Sequence, residues 1–223
     1  MSKTINTLEF RELAFKEIYQ RYSEPKTQRR AFSFLEAAIQ CFDKKGFENV
    51  TITMIAREAG VTRQLLSHYF KDLAEIREFT IKYVRVIGQQ LMLQQLEKKS
   101  QPDQILQTYL YSHWLWVSHF KNHVRVWLNF LSYCSKRESD RTINTRAMSA
   151  GHDRIKQILH QGRIEGYFRH QNDAMTATVI QTLITGWLTN IITKDIENPQ
   201  ELSETIIQHV LNMVGSKSLQ SYL

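Results

Sequence analysis

Polar side chains recur every three or four residues between Gln64 and Lys71 of this 223-residue chain. Gln64, Ser67, His68 and Lys71 fall on one side of a helix at that spacing. Amide, hydroxyl, imidazole and ammonium groups on one helical face suit hydrogen bonds to base edges and phosphates in a DNA major groove. The spacing therefore predicts a helix that recognises duplex DNA.

The residues before and within this face meet the steric needs of a helix-turn-helix from about Ile52 to Lys71. Gly60 falls at the turn, where a positive φ is easiest for glycine, and Thr62 is placed to cap the second helix. An ordinary helical hairpin with a solvated polar face is the alternative, but many matching offsets together favour the helix-turn-helix. Small or apolar residues occupy the facing positions: Ile55, Ala56, Ala59, Val61 and Leu66, the last with Tyr69 or Phe70 at i+3 and i+4.

Further positions near this motif carry groups that suit contacts to the DNA backbone. Arg63 lies beside the cap, and Thr51 and Thr53 open the supporting helix, whose amides favour a phosphate. Lys26, Arg29 and Arg30 begin the preceding helix, where their charges would position the protein without reading sequence.

Bulk composition allows a polyanionic partner without requiring one. The net charge is +7, but residues 1–76 hold 12 Lys/Arg against 10 Asp/Glu and residues 77–223 hold 17 against 12, so the excess is spread. No apolar stretch is expected to span a bilayer and no secretion signal opens the chain, which favours a cytoplasmic protein. Cys41 and Cys134 form no CxxC pair, so we expect packed thiols.

Helical periodicity covers nearly the whole chain, and no strand-like alternation or hairpin signal interrupts it, so we predict an all-α fold. Gly46 and Gly166 are expected to end helices. The predicted helices cover about 7–22, 26–45, two short segments in 52–70, 72–98, two segments in 103–137 with a join near 119–123, 140–165, 172–195 and 199–214.

The pattern Thr-Ile-x-x-Ile-Ala-x-x-Ala-Gly-Val-Thr from Thr51, followed by Leu66 and Tyr69-Phe70-Lys71, resembles the N-terminal domain of TetR-family regulators. The match covers about residues 29–76. The resemblance implies a homodimer with an N-terminal three-helix DNA-binding domain and a C-terminal helical domain for ligand binding and dimerisation. Here these would be residues 26–75 and 76–223, preceded by an extra amphipathic helix within residues 1–25.

The chain departs from the family pattern at three positions. Gln64 stands where a small residue is common, Ser67 replaces a frequent Tyr, and Leu73 replaces a frequent Lys. The last two changes remove usual phosphate partners and shift that role towards neighbouring side chains. The predicted set of DNA contacts is therefore Lys26, Arg29, Arg30, Thr51, Thr53, Thr62, Arg63, Gln64, Ser67, His68, Tyr69 and Lys71.

The resemblance also implies a small-molecule effector cavity among the middle helices, where aromatic residues are dense. Aromatic side chains suit flat, apolar or cationic ligands, although filling the core is the alternative for each residue. Two short segments, Trp127-Leu128-x-Phe130 and Glu165-Gly166-Tyr167-Phe168-Arg169, resemble the choline-responsive branch of the family. The predicted pocket residues are Tyr109, His113, Trp114, Trp127, Phe130, Met148 and Trp187.

The last two predicted helices carry wide apolar stripes, which are expected to pair with a second copy in an isologous four-helix contact. Gly186 would allow close approach. Burial inside one chain is the alternative. The predicted interface residues are Ile180, Ile184, Trp187, Leu188, Ile191, Ile206 and Val210.

Three hypotheses about function follow. The first is a dimeric, ligand-responsive repressor that binds operator DNA. The second keeps the DNA-binding domain but gives the C-terminal domain protein partners and no effector. The third, a small helical enzyme, lacks any P-loop, HExxH, GxSxG or dinucleotide glycine motif. His119 and His123 have a metal-ligand spacing but no third ligand nearby, so we expect no metal and no cofactor.

Overall fold

The structure is a computed structural model that describes residues 5–21, 24–96, 99–135, 138–194 and 196–216, with the backbone alone at 138–144 and 146–147. Every regular element in these ranges is helical, which confirms the predicted all-α fold. The helices are α1 Thr7–Ile18, α2 Pro25–Asn49, α3 Ile52–Glu58, α4 Arg63–Ser67, α5 Leu73–Leu96, α6 Pro102–His119, α7 Lys121–Ser135, α8 Glu138–Ile164, α9 Asp173–Thr193 and α10 Pro199–Met213.

The chain divides into two compact units. Residues 1–90 and 119–141 form the first, called the head unit here, and residues 91–118 and 142–223 form the second, called the body unit. The head unit thus includes α7 as well as the helix-turn-helix region. The functional division at residues 75 and 76 came from the family resemblance and stays a prediction.

Local signals in the sequence account for many helix ends. The Asn172 side chain accepts the Met175 amide at 3.0 Å at the start of α9, and Asn198 accepts the Glu201 amide at 3.2 Å at the start of α10. Gly46 adopts φ +72° and ψ 167°, which breaks α2 near its end, and Gly166 adopts φ +73° just after α8. Both predicted glycine stops are therefore confirmed.

The head unit has an aromatic core between α2 and α7. Phe42 stacks on Phe47 with ring centroids 4.2 Å apart, and Phe47 packs against Phe130 at 5.3 Å. At the edge of this core Arg125 of α7 forms an ion pair with Asp43 of α2. The first helix of the DNA-binding region is thereby fixed to α7 by both apolar and charged contacts.

In the body unit the α8–α9 connection is organised around one carboxylate. Arg163 donates two hydrogen bonds of 3.0 Å to Asp173, and His160 and His170 contact the same carboxylate at 2.9 and 2.7 Å. The Arg163 hydrogen bonds outweigh the effect of burial and hold the pKa of Asp173 well below its usual value. The connection is therefore tied at both of its ends.

Among the described residues, helix α9 is the one that is long and apolar enough to cross a bilayer, by length and composition only. The expectation that no stretch is apolar enough was wrong for this helix. Apolar helices of this length also occur in cores and subunit interfaces, so length and composition do not assign a membrane. In the structure α9 packs against α10, where the Trp187 indole donates to Ser203 Oγ at 3.1 Å.

Candidate nucleic-acid interface

Helices α3 and α4 form the predicted helix-turn-helix. Thr51 caps α3 by accepting the Met54 amide at 3.3 Å, and Thr62 caps α4 by accepting the Leu65 amide at 3.2 Å. Between them Gly60 adopts φ +65°, and the Val61 amide closes the turn on the Ala56 carbonyl at 2.9 Å. The predicted turn and cap are confirmed.

Apolar side chains fix the two short helices to the rest of the head unit. Ile55 and Leu66 are fully buried, and Ala56 and Phe70 are only 2% exposed. A five-residue helix has too few hydrogen bonds of its own to be stable, so these buried contacts and the Thr62 cap hold α4 in place. The polar residues of α4 are left to face outward.

The outer face of α4 carries the side chains predicted to read DNA. Gln64 and His68 are exposed, as are Arg63 and Lys71 on either side of them. Ser67 is also exposed, and its hydroxyl donates to the Arg63 carbonyl at 3.0 Å. Donors and acceptors on a rigidly mounted, exposed helix are what direct readout in a major groove needs.

Exposed cations at the start of α2 belong to the same unit. Lys26, Arg29 and Arg30 are exposed, and so are Thr51 and Thr53 at the start of α3. Within the described residues, none of Lys26, Arg29, Arg30, Arg63 and Lys71 forms an ion pair. Their positive charges are therefore available for phosphates.

Tyr69 differs from the other predicted DNA contacts because its side chain is only 8% exposed. Its ring packs edge-on against Phe34, with centroids 5.0 Å apart. Its carbonyl accepts hydrogen bonds from Tyr19 and Arg21, two residues that the sequence interpretation did not single out. Tyr69 thus serves as a packing residue in this structure, and direct contact with DNA stays a prediction.

The predicted pocket residues lie in both units. Trp127 and Phe130 belong to the head unit, and Phe130 is part of its aromatic core. Tyr109, His113, Trp114, Met148 and Trp187 belong to the body unit. Trp187 is 2% exposed and its indole donates to Ser203, and its place in a ligand pocket stays a prediction.

Two of the remaining pocket residues are in direct contact on α6. The His113 ring lies edge-on to Tyr109 at 4.9 Å, and its Nδ1 is 2.9 Å from the Tyr109 carbonyl. Burial raises the pKa of Tyr109 to about 12 and lowers that of His113, so both are neutral near neutral pH. Gln181 of α9, which sequence reasoning missed, donates to the Met148 carbonyl at 2.9 Å. These contacts place polar groups among the aromatic ones within the body unit.

The predicted dimer residues need correction. Six of them are at most 8% exposed within the single chain and so belong to the core of the protomer: Ile180, Ile184, Trp187, Leu188, Ile191 and Val210. The seventh, Ile206, is half-buried. A second apolar row on α9 is exposed instead: Met175 at 62%, Val179 at 39% and Leu183 at 40%. Because α9 is apolar on more than one side, its sequence did not show which side faces inward.

The two histidines with metal-ligand spacing lie on different helices. His119 ends α6 and is exposed, whereas His123 in α7 is buried between the rings of Tyr83 and Phe120. No group of three or more His, Cys, Asp or Glu side chains suited to a metal is found in the part of the chain that the structure describes.

The fold and this site define an all-α protein with a helix-turn-helix. Residues 34–78 match the family profile described as bacterial regulatory proteins, tetR family. The regulator BetI of Serratia proteamaculans is 36% identical over 55 residues, which is 25% of this chain and 28% of BetI. The regulator HbdR of an Aromatoleum strain is 33% identical over 81 residues, or 36% of this chain and 35% of HbdR. The chain therefore matches about a third or less of the length of these relatives.

Solved structures extend the likeness to the whole fold. A Saccharomonospora viridis transcriptional regulator in complex with choline has a TM-score of 0.72 at 18% identity, covering 87% of this chain and 98% of that one. AibR in complex with isovaleryl coenzyme A and operator DNA has a TM-score of 0.66 at 16% identity, covering 83% and 97%. The match of residues 34–78 agrees with the sequence resemblance to TetR-family regulators, and the solved structures share the fold over most of the chain.

Proposed function

We propose that the protein is a ligand-responsive transcriptional repressor that binds operator DNA as a homodimer in the bacterial cytoplasm. The observation that carries this proposal is the capped, exposed face of α4, with Gln64 and His68 outward and Leu66 buried beneath. Exposed cations at the start of α2 and on Lys71 would supply the phosphate contacts. The family profile that residues 34–78 match describes regulatory proteins, which favours a regulator over an enzyme.

The DNA-binding proposal is tested on duplexes selected from a random pool by the full-length protein. Lys71→Ala is expected to lower the affinity of the protein for all duplexes by the same factor, because one phosphate contact is lost. The slope of log affinity against log salt concentration should also decrease in magnitude by about 1. Gln64→Ala is expected to change base preference at one position by about 1–3 kcal/mol. Lys156→Ala removes the same charge from an exposed position of α8 and should change neither quantity. Failure to select any duplex, or a flat salt response, contradicts the proposal.

For the effector we propose a small molecule bound by the body unit. A structural neighbour contains choline, and aromatic faces attract quaternary ammonium groups; choline is therefore the first probe, with isovaleryl coenzyme A as the second. A ligand that binds one state of the protein better than the other shifts the populations of the two states. Release of a selected duplex by one probe, and not by the other, would identify the ligand class.

For the dimer we propose that the exposed row of Met175, Val179 and Leu183 on α9 meets its symmetry mate. Exposed apolar rows of this size on a soluble chain mark contact surfaces. Met213 of α10 is also 42% exposed. Gly186, whose added Cβ would meet nothing within 4 Å in the protomer, would let the partner helix approach closely.

A further inference from the structure

The N-terminal segment that precedes the family's matched region packs against α2 and α5 within the head unit. In α1 the residues Phe10, Ala14 and Phe15 are at most 6% exposed, and Tyr19 just after it is fully buried. Phe15 stacks on Tyr19 at 5.0 Å and meets Phe32 of α2 edge-on at 5.4 Å. This segment, residues 7–21, is called the N-terminal arm here.

Polar contacts fix the arm to the helices on both sides of the helix-turn-helix. Arg11 forms an ion pair with Glu36 of α2, and Tyr83 of α5 donates to the same carboxylate at 2.5 Å. Further along α5, Gln90 donates to Glu17 at 3.2 Å. The arm therefore bridges α2 and α5, while its other end reaches the connection between α4 and α5.

At that end the arm holds the backbone that follows the recognition helix α4. The Tyr19 hydroxyl donates to the Tyr69 carbonyl at 3.3 Å, and Arg21 donates to the same oxygen at 2.9 Å. Arg21 also bonds Glu75 at 2.5 Å. Tyr69 lies two residues after the end of α4, so both side chains restrain the backbone that directly follows the recognition helix.

Glu75 connects Arg21 to Lys71, the residue predicted to contact phosphate. Its second carboxylate oxygen accepts the Lys71 amide at 2.5 Å. Burial alone would raise the pKa of Glu75, but the hydrogen bonds from Arg21 and Lys71 hold it below its usual value. The carboxylate is thus charged near neutral pH and joins Arg21 to the backbone of Lys71.

We propose that Tyr19 and Arg21 are positioning residues for DNA recognition: through the Tyr69 carbonyl and Glu75 they set the position of α4 and of Lys71. The inference rests on the proposed DNA-binding function. Neither side chain needs to touch DNA. Recognition sites tolerate little looseness in the elements that carry them, so a restraint on the backbone behind the reading face controls affinity and base preference.

The test compares Arg21→Ala with Arg11→Ala in the full chain. Each change removes from the arm one arginine that forms an ion pair with a glutamate of another helix. Only Arg21 also contacts the α4–α5 connection. At a temperature where both variants are folded, Arg21→Ala is expected to bind the selected duplex about tenfold more weakly, the scale of one charge-assisted hydrogen bond. Arg11→Ala is expected to bind within about twofold of the unchanged protein even if its unfolding midpoint falls further.

Two more variants separate positioning from a general structural role. Arg21→Lys keeps a cationic donor and should recover part of the affinity, and Tyr19→Phe keeps the packed ring but loses the hydroxyl and should show a smaller loss. The preference for the selected duplex over a random one should fall with Arg21→Ala, because loss of positioning affects base contacts. Equal binding by the Arg21→Ala and Arg11→Ala variants would overturn the proposal.

Hydrogen exchange on the free protein gives a readout that does not depend on DNA. Amides of residues 66–72 are expected to exchange faster in Arg21→Ala and to be unchanged in Arg11→Ala. If the unchanged protein selects no duplex, the proposed function fails, while the exchange result still reports on the restraint. Unchanged exchange at 66–72 in Arg21→Ala would overturn the inference even if DNA binding is confirmed.

Discussion

The head unit contains a part-buried polar cluster formed by residues of α1, α2, α5 and α7. Glu36 accepts hydrogen bonds from Arg11 and Tyr83, so its charge is well satisfied. His123, 7% exposed, lies beside it with its Nε2 buried and without a hydrogen-bond partner among the described residues. Burial lowers the pKa of His123 to about 4, although the charge of Glu36 acts in the opposite direction.

His123 is therefore expected to make the protein less stable in mild acid. Its pKa is lower in the folded chain than in the unfolded chain, so the unfolded state binds more protons between pH 6.5 and pH 4, and stability falls as the pH falls through that window. From about pH 7.5 to about pH 5 this group should account for about 2 kcal/mol of the loss in unfolding free energy. Urea unfolding at both pH values measures it.

The comparison is made with His123→Phe, which keeps an aromatic ring beside Tyr83 and Phe120 but cannot be protonated. Its stability at neutral pH need not match that of the unchanged protein, because the difference between the two pH values is the quantity compared. The exposed His119→Gln serves as the matched control and should keep the full pH dependence. An equal loss in His123→Phe would show that other groups cause the acid sensitivity.

Single residues were predictable where the cause is local. Thr62 and Gly60 were identified because a cap and a positive φ depend on a few neighbouring residues, and the structure shows both. Tyr69 was assigned to DNA by resemblance, but its ring direction depends on Phe34, which is 35 positions away in the sequence. Arg21 carried no signal at all, because its partners lie about 50 positions further along.

At the scale of elements, most predicted helix ends agree with the structure, although α1 ends at Ile18 instead of near residue 22. The buried faces of the helices were harder to predict. The predicted helix 199–214 is observed as Pro199–Met213, since Asn198, Pro199 and Gly215 mark its ends. In contrast, α9 carries apolar residues on its buried and its exposed side, Ile184 and Leu183 being adjacent in sequence. Periodicity locates a helix, but it identifies the inward face only when the other face is polar.

The end of α8 depends on a glycine, because a larger residue at that position would collide with a packed ring. After α8 the chain turns at Gly166, and Phe168, 3% exposed, folds back onto the helix. A Cβ added at Gly162 would lie 2.2 Å from two atoms of the Phe168 ring. Gly162 is therefore required by packing. The Tyr167 amide donates to the Gly162 carbonyl at 2.7 Å, which holds the backbone next to Phe168 and leaves the Phe168 ring little room to move.

Gly162→Ala is expected to destabilise the protein by about 1–3 kcal/mol, the usual result of forcing extra atoms into a packed site. Gly151→Ala is the matched control in the same helix, because its Cβ would meet Gln181 Nε2 at an ordinary 3.4 Å. That change should be neutral or stabilise by up to about 1 kcal/mol through helix propensity. Thermal and urea unfolding of both variants give the comparison, and equal effects would contradict the packing argument.

At the scale of the whole molecule, the exposed apolar row on α9 is the surface through which we propose that two protomers form a dimer. Met175, Val179 and Leu183 follow one another at i, i+4 and i+8, so they lie along one side of the helix. The same apolar character gives α9 a composition that would allow a bilayer span, and a subunit contact accounts for it without a membrane. Two operator half-sites would then be read by two copies of α4 held about one turn of DNA apart.

Leu183→Glu is expected to convert the proposed dimer into a folded monomer. At 40% exposure the new carboxylate meets water in the protomer, but in a symmetric contact it would be buried opposite its own copy. Ile164→Glu, which introduces the same group at a 64% exposed position at the end of α8, is the control and should remain dimeric. Sedimentation equilibrium at micromolar concentration measures the state, and binding to a palindromic duplex should fall together with dimerisation. A Leu183→Glu protein that stays dimeric would show that the subunits meet through another surface.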